Sequence, residues 1–258
     1  MASETAPAVV ATPAPPPSLT NSAKNKQNHR QEWPYGNYRS YYSFRSGTTQ
    51  PDAPPADQLD GRLALLDPAL FREKTLLDIG TNSGKIALDA LLLLGARAVA
   101  GVDIDPLLID DAQKAALERG LAPDDPRVEF RQANVMEEGW FERFKPSVEK
   151  VDVVTLFSIT KWLHLHNGDD GMRRLFRSLH AFLPIDGVVI VEPQEWDNYK
   201  RAVKRNKDLR ETFKTLELRP PFDAEMREVG FVLEQQIERE EGGFSRPLLV
   251  WRKVKRAV

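Results

Sequence analysis

The chain has 258 residues, 41% of them hydrophobic, a net charge of −2 and no cysteine. That length suits one folded domain with a tail, and the missing cysteines exclude disulfides, thiolate metal sites and thiol nucleophiles. A charge so near zero excludes bulk attraction to nucleic acid, and no apolar run approaches the roughly 18–20 residues of a membrane span.

Residues 1–28 begin as the Ala/Pro-rich run "ASETAPAVVATPAPPPSLT", which cannot build a packed core and reads as a disordered tail. The N-terminus also lacks the basic start and apolar stretch of a secretion signal. Residues 29–57 form a lead segment and linker. Its stretch "WPYGNYRSYYSF" packs Trp33, Tyr35, Tyr38, Tyr41, Tyr42 and Phe44 among the basic residues Arg30, Arg39 and Arg45. Such aromatics can staple a leading segment across a sheet, or stack on bases and cover a cofactor.

From residue 58 to residue 258, apolar runs alternate with amphipathic stretches, the pattern of an α/β fold with a doubly wound, mostly parallel sheet. Seven strands are expected: 75–80, 98–104, 127–134, 151–158, 187–192, 228–237 and 246–253, the last two as an antiparallel pair. Helices are expected over 85–95, 107–119 and 171–183, with a basic helix over 197–213. Asp169 and Asp170 are placed to cap the helix beginning near Gly171.

The first strand runs into Asp78-Ile79-Gly80-Thr81-Asn82-Ser83-Gly84. Gly80 permits a tight turn against a ligand, and Gly84 lets the next helix pack close. The spacing D-x-G-x-x-x-G differs from the dinucleotide G-x-G-x-x-G, which disfavours NAD. The second strand ends in Asp103-Ile104-Asp105, where an acid can accept from both hydroxyls of a ribose. The third ends in Ala133-Asn134-Val135, where an amide can read an adenine edge. Together these three turns match the Rossmann-like class I methyltransferases that use S-adenosylmethionine.

The fourth and fifth strands deliver "SITKWLHLHNGDDG" and "VEPQEW" to the same crevice. With "YGNYRSYYSFR" and "LDIGTNSG", these stretches resemble the methylphosphate capping enzymes, the bicoid-interacting-protein family, from about Tyr35 to Lys253. The resemblance implies methyl transfer from S-adenosylmethionine to the γ-phosphate of a small non-coding RNA carrying a 5′-triphosphate. A related branch methylates 5′-monophosphates. Implied cofactor contacts are Tyr42, Arg62, Gly80, Asn82, Asp103, Ile104, Asn134 and Phe157, with Thr81, Gly84 and Val135 in the same loops. Implied catalytic and substrate contacts are Tyr41, Arg45, Lys161, His164, Glu192 and Gln194. His166 and the following Asn167 depart from the family pattern, although His166 can still donate to a phosphate.

A terminal phosphate has a pKa near ~6 and needs no general base at neutral pH, so His164 is expected to donate a hydrogen bond rather than shuttle a proton. Histidines 164 and 166, two apart on a strand, share a face, and a metal pair there is the alternative. No metal is expected. Trp162 reads either as core or as a base-stacking ring. Lys200, Arg201, Lys204 and Arg205 lie directly after "EPQEW" and are expected to contact RNA phosphates. The alternative for such a charge-rich helix is a solvated face. A monomeric nuclear enzyme with ribonucleoprotein partners and no membrane contact completes the expectation, the run "RKVKR" (252–256) serving as an import patch or as solubilising charge.

Overall fold

The structure, a computed structural model, describes residues 35, 36, 41, 58–145, 150–238 and 246–255. The expectations for the tail, for Tyr42 and Arg45 and for the linker lie outside the described residues.

Seven strands form one sheet in the order β3-β2-β1-β4-β5-β7-β6. They are β1 Thr75–Ile79, β2 Ala98–Asp103, β3 Val128–Gln132, β4 Val153–Phe157, β5 Val188–Glu192, β6 Phe231–Ile237 and β7 Leu248–Lys253. Strands β1 to β5 pair in parallel, whereas β7 runs against both β5 and β6. Strands β1, β2, β4 and β5 are buried along their whole length. This is why they read as unbroken apolar runs: a parallel sheet covered on both faces leaves no solvent side to mark.

The covering helices are α1 Lys85–Leu93, α2 Pro106–Glu118, α3 Trp140–Arg143, α4 Thr160–Phe182, α5 Trp196–Arg205, α6 Arg210–Thr215 and α7 Asp223–Val229. On one face Met172, Leu175, Phe176 and Leu179 of α4 pack with Leu77, Val154 and Val189. On the other, Ile86, Leu88 and Leu91 of α1 pack with Leu63, Phe71 and Ile190. Strand order reverses between β1 and β4, so the crevice beyond their carboxyl ends is the expected ligand position.

Several boundaries differ from the sequence expectation. Helix α4 begins at Thr160, eleven residues before the expected start at 171, and passes Gly168 at φ 65°, ψ −174°. Asp169 is tied elsewhere, accepting from the backbone N–H of Glu217 (2.8 Å) and Leu218 (3.2 Å). The basic helix stops at Arg205, because Asn206 is extended and its side chain accepts from Asp208 N to start a 3-10 turn. Residues 228 and 229 finish α7, which Gly230 (φ 110°) terminates before β6.

Ahead of β1, two 3-10 turns, Leu63–Leu65 and Pro68–Leu70, bring residues 58–62 across α1. Asp89, fully buried on α1, accepts from Asp60 N (2.9 Å), Lys85 Nζ (2.9 Å) and Arg119 Nη1 (2.7 Å). Asp60 then holds the Arg62 guanidinium through two bonds of 2.8 and 2.9 Å. The network delivers a buried arginine to the crevice with its charge compensated, as burial requires.

Candidate active site

The turn from β1 into α1 rests on β2. Gly80 N and Thr81 N both donate to Val102 O, at 2.8 and 3.0 Å. Gly80 has φ 75°, and a Cβ there would lie 2.3 Å from Ile159 Cδ1, so both backbone and space demand glycine. Gly84 (φ 78°) opens α1 against Phe130 and Ala112, leaving a side chain no room. Asn82 N donates to Asp103 Oδ2 (3.0 Å) and Asp105 N to Asp103 Oδ1 (3.1 Å). The Asp103 carboxyl is thereby fixed at the end of β2. Burial pushes its pKa up, and the two backbone donors oppose that shift.

A cleft of about 290 Å³, sized for a nucleoside rather than an ion, is lined here by Gly80, Asn82, Asp103, Ile104, Asn134, Val135 and Phe157. Tyr41 and Arg62 close one side. The Arg62 guanidinium lies 4.9 Å from the Phe157 ring centre and 5.9 Å from that of Tyr41. Tyr35, Trp162, Leu163 and His166 close another side, with the Tyr35 and His166 rings 4.7 Å apart. Asp78 reaches the cleft as well, accepting from Thr155 Oγ1 at 2.6 Å.

The opposite end of the cleft is organised around Ser158, the residue joining β4 to α4. Its φ of 58° is left-handed, a strained conformation for a side chain. Four contacts hold it there. Its N–H donates to Glu192 O (3.1 Å) and its hydroxyl donates to the Glu192 carboxylate, while Gln194 Nε2 donates to its carbonyl and Arg246 Nη1 to its Oγ (2.8 Å). Glu192 is fully buried and stands 3.6 Å from Arg62 Nη1. Gln194 Oε1 accepts from Lys161 N (3.0 Å) and Thr160 Oγ1 (3.2 Å), satisfying donors at the start of α4.

Lys161 follows on the first turn of α4. Burial lowers its ammonium to about 7, and the charges of Arg246, Arg205 and Arg201 push the same way. Arg246, from the residues leading into β7, thus stands at Ser158, while the charges of Arg201 and Arg205 on α5 act on Lys161.

His164 lies elsewhere. It is fully buried, with Nδ1 3.3 Å from Tyr199 Oη and Nε2 2.7 Å from Asp169 Oδ1, and burial lowers its pKa. The expected place for it on the crevice wall is therefore corrected. The stretch is helical rather than extended, so 162, 163, 166 and 167 share the cleft face while 164 turns away. His166, exposed at the cleft wall, takes the position anticipated for His164. The side chain of Gln194 is likewise committed to Ser158 and α4 rather than turned to a substrate. Thr81 is buried beneath its loop.

Trp162 is buried with Leu165 and Tyr199 and also borders the cleft. The ring of Trp196 is covered by Arg219 (3.9 Å) and Phe213 (4.9 Å between centroids). Lys200, Arg201, Lys204 and Arg205 are exposed along α5, with Lys200 paired to Asp197 at 2.9 Å. Among the described residues no group of three His, Asp or Glu side chains is arranged to hold a metal ion. Ser158, Ile159, Leu163 and Arg246 were missed by the sequence reading. The first three lie within or beside the quoted motifs, while Arg246 sits far along the chain with no local signal.

The sheet order, the glycine turn and the acid at the end of β2 define a class I methyltransferase, and the cleft they build fits S-adenosylmethionine. A methyltransferase-domain model matches residues 76–187, and the Bicoid-interacting protein 3 (Bin3) model matches residues 151–253. Similar solved structures include a putative sarcosine dimethylglycine methyltransferase from Galdieria sulphuraria, with a TM-score of 0.52 and 14% identity over 77% of this chain and 85% of that one. The N-methyltransferase NodS from Bradyrhizobium japonicum WM9 gives 0.53 and 12% over 75% and 93%. These likenesses concern the fold alone. The U6 snRNA methylphosphate capping enzyme Amus of Drosophila melanogaster is 34% identical over 254 residues, 93% of this chain and 81% of that protein. The human 7SK snRNA methylphosphate capping enzyme is 24% identical over 89% of this chain and 40% of its own length. A pre-miRNA 5′-monophosphate methyltransferase of Danio rerio is 26% identical over 85% and 92%. The chain belongs to the Bin3 family of S-adenosylmethionine-dependent methyltransferases.

Proposed function

We propose that the chain methylates the terminal phosphate at the 5′ end of a small non-coding RNA, taking the γ-phosphate of a 5′-triphosphate as acceptor. The observation that carries this reading is Arg246 bonding Ser158 on the cleft wall, with Lys161 three residues on, at the start of α4, under the charges of Arg246, Arg205 and Arg201. The relatives named as methylphosphate capping enzymes point to the same substrate class. Relatives named for 5′-monophosphate ends support a second reading, methylation of a monophosphate.

When bound, S-adenosylmethionine would supply a sulfonium methyl group for transfer to a phosphate oxygen, leaving a neutral thioether. The acceptor, mostly dianionic above its pKa of ~6, attacks without losing a proton, so the chain need provide no base. Its residues orient and hold. Asp103 and Asn134 would hold the cofactor, Arg62 and Phe157 would wall the transfer site, and the cations would grip oxygens that do not attack. In-line placement of this kind can supply on the order of 7–11 kcal/mol of the barrier.

Nuclear residence and ribonucleoprotein partners belong to the proposal through the RNA class alone. The run 252–256 gives little support, since Arg252 bonds Glu234 and Lys253 bonds the carbonyls of His180 and Leu183. Imaging a tagged full chain, with and without substitutions in that run, tests residence. The reaction is tested with labelled methyl donor and one RNA bearing 5′-triphosphate, 5′-monophosphate or 5′-hydroxyl. Label should enter phosphate-ended RNA only, and equal label in the hydroxyl-ended RNA would sink the reading.

A further inference from the structure

Residues 58–62 belong to no helix or strand, yet they put a buried guanidinium into the cleft. What holds them is Asp89, fully buried on the second turn of α1. Its Oδ2 accepts from Asp60 N and from Lys85 Nζ, both at 2.9 Å, and its Oδ1 from Arg119 Nη1 at 2.7 Å. Lys85, the first residue of α1, also donates to Gln58 O at 2.7 Å. Asp60 completes the link. Its Oδ1 accepts from the N–H of Arg62 (2.9 Å) and from Arg62 Nε (2.8 Å), and its Oδ2 from Arg62 Nη2 (2.9 Å). Within this network Arg62 lines the cleft, whereas Asp60, Lys85, Asp89 and Arg119 do not.

Strand order tells which end of the cofactor Arg62 faces. Asp103 ends β2 and Asn134 follows β3, so the ribose and adenine would lie on that side of β1. The remainder of the cofactor would then extend past Gly80 towards β4 and β5. There the Arg62 guanidinium lies 4.9 Å from the Phe157 ring centre at the end of β4, and 3.6 Å from Glu192 at the end of β5. That half of S-adenosylmethionine carries an amino-acid group, whose carboxylate is the only anion in the molecule. A guanidinium meets a carboxylate through a planar fork, so its orientation decides the strength of the contact. An arginine held beforehand also loses little rotamer freedom when that contact forms.

We infer that Asp60 and Asp89, with Lys85, are positioning residues for the amino-acid end of the cofactor, acting through Arg62. They lock the segment carrying Arg62 onto α1, the helix that begins at the glycine turn. The turn and the guanidinium, which come from separate stretches of chain, thereby keep one geometry. The inference concerns recognition of the cofactor and stands independently of the RNA acceptor.

The test is a calorimetric titration of the full chain, without RNA, against two ligands. S-adenosylhomocysteine has the carboxylate, and 5′-methylthioadenosine has the same nucleoside and sulfur without the amino-acid group. The wild-type chain should bind S-adenosylhomocysteine more tightly. Asp60→Asn, which keeps the size of the side chain but not its charge, should weaken S-adenosylhomocysteine by about tenfold, the usual effect of losing a charge-assisted hydrogen bond. Its affinity for 5′-methylthioadenosine should match the wild type. Lys85→Met, at a side chain 15% exposed, should show a smaller loss of the same selective kind, and decides the matter should Asp60→Asn not fold. Equal losses for the two ligands would make the network merely structural and overturn the inference. Unchanged S-adenosylhomocysteine binding in the variants that fold would overturn it as well. Neither result touches RNA methylation, and a failure of the wild type to methylate RNA would leave the binding comparison intact.

Discussion

Lys161 is a cation that its surroundings work to discharge. Burial and the charges of Arg246, Arg205 and Arg201 bring its ammonium to about 7, against an ordinary 10.5. A phosphate bound beside it reverses that pressure, so binding and protonation are coupled. Affinity for phosphate-ended RNA should therefore fall as pH rises through about 7, and binding near pH 8 should take up a proton. Calorimetry in two buffers of different ionisation enthalpy measures the uptake. Lys161→Arg, charged throughout the range, should flatten both effects, and uptake persisting in that variant would assign the proton elsewhere. Stability carries the opposite dependence. Between about 7 and 10.5 the unfolded chain binds the proton that the folded chain lacks, so folding stability rises with pH across that window and Lys161→Met should flatten the rise.

At the scale of elements, α4 shows what the sequence made legible and what it hid. Strands β1, β2, β4 and β5 were readable because continuous apolar runs have one reading in a covered parallel sheet. The glycine turn and Asp103 were readable because their spacing is local. The start of α4 was not. "ITKWLHLHNGDDG" follows an apolar strand directly, and Gly168 with two acids imitates a helix beginning later. Extended, the stretch would place His164 and His166 on one face; helical, it separates them by about 200°, at 100° per residue. Nor could local pattern reveal that Asp169 faces backwards to His164 and across to Leu218, or that 3-10 turns before β1 hold Arg62.

His164 consequently acts as a joint between α4, α5 and the 217–218 segment, through Asp169 and Tyr199. Its replacement by alanine leaves a cavity, takes the His164 partner from the buried Tyr199 hydroxyl and removes one of the contacts on Asp169, and should cost about 2–4 kcal/mol. Urea unfolding measures the loss. In the folded remainder, cofactor affinity should stay near wild type, while His166→Ala, at the cleft wall beside Tyr35, should weaken it. A His164→Ala protein with full stability and lost RNA capture would restore the role that the motif alone suggested.

Across the whole molecule, 38 acids against 36 lysines and arginines leave little net field, so attraction for a polyanion must be local. Helix α5 concentrates it. Tyr199, Ala202 and Val203 anchor the buried side of the helix, and the bases line the outside in two rows. The charges of Arg201 and Arg205 act on Lys161, whereas Lys200 and Lys204, by helical spacing, stand on the other flank. The rows should therefore differ in what they read. If the chain acts on RNA as proposed, contacts from the flank to RNA backbone phosphates would release counterions at about 0.7 per contact on a single strand. Lys200→Ala/Lys204→Ala should then lower the slope of log affinity against log salt by up to about 1.4. The decrease should be the same for triphosphate, monophosphate and hydroxyl ends, because backbone contacts do not see the terminus. Lys200 is already paired with Asp197, so the larger share of the decrease should come from Lys204. Fluorescence titrations at three salt concentrations separate the rows, and a slope untouched by either lysine would leave α5 an ordinary solvated helix outside its two arginines.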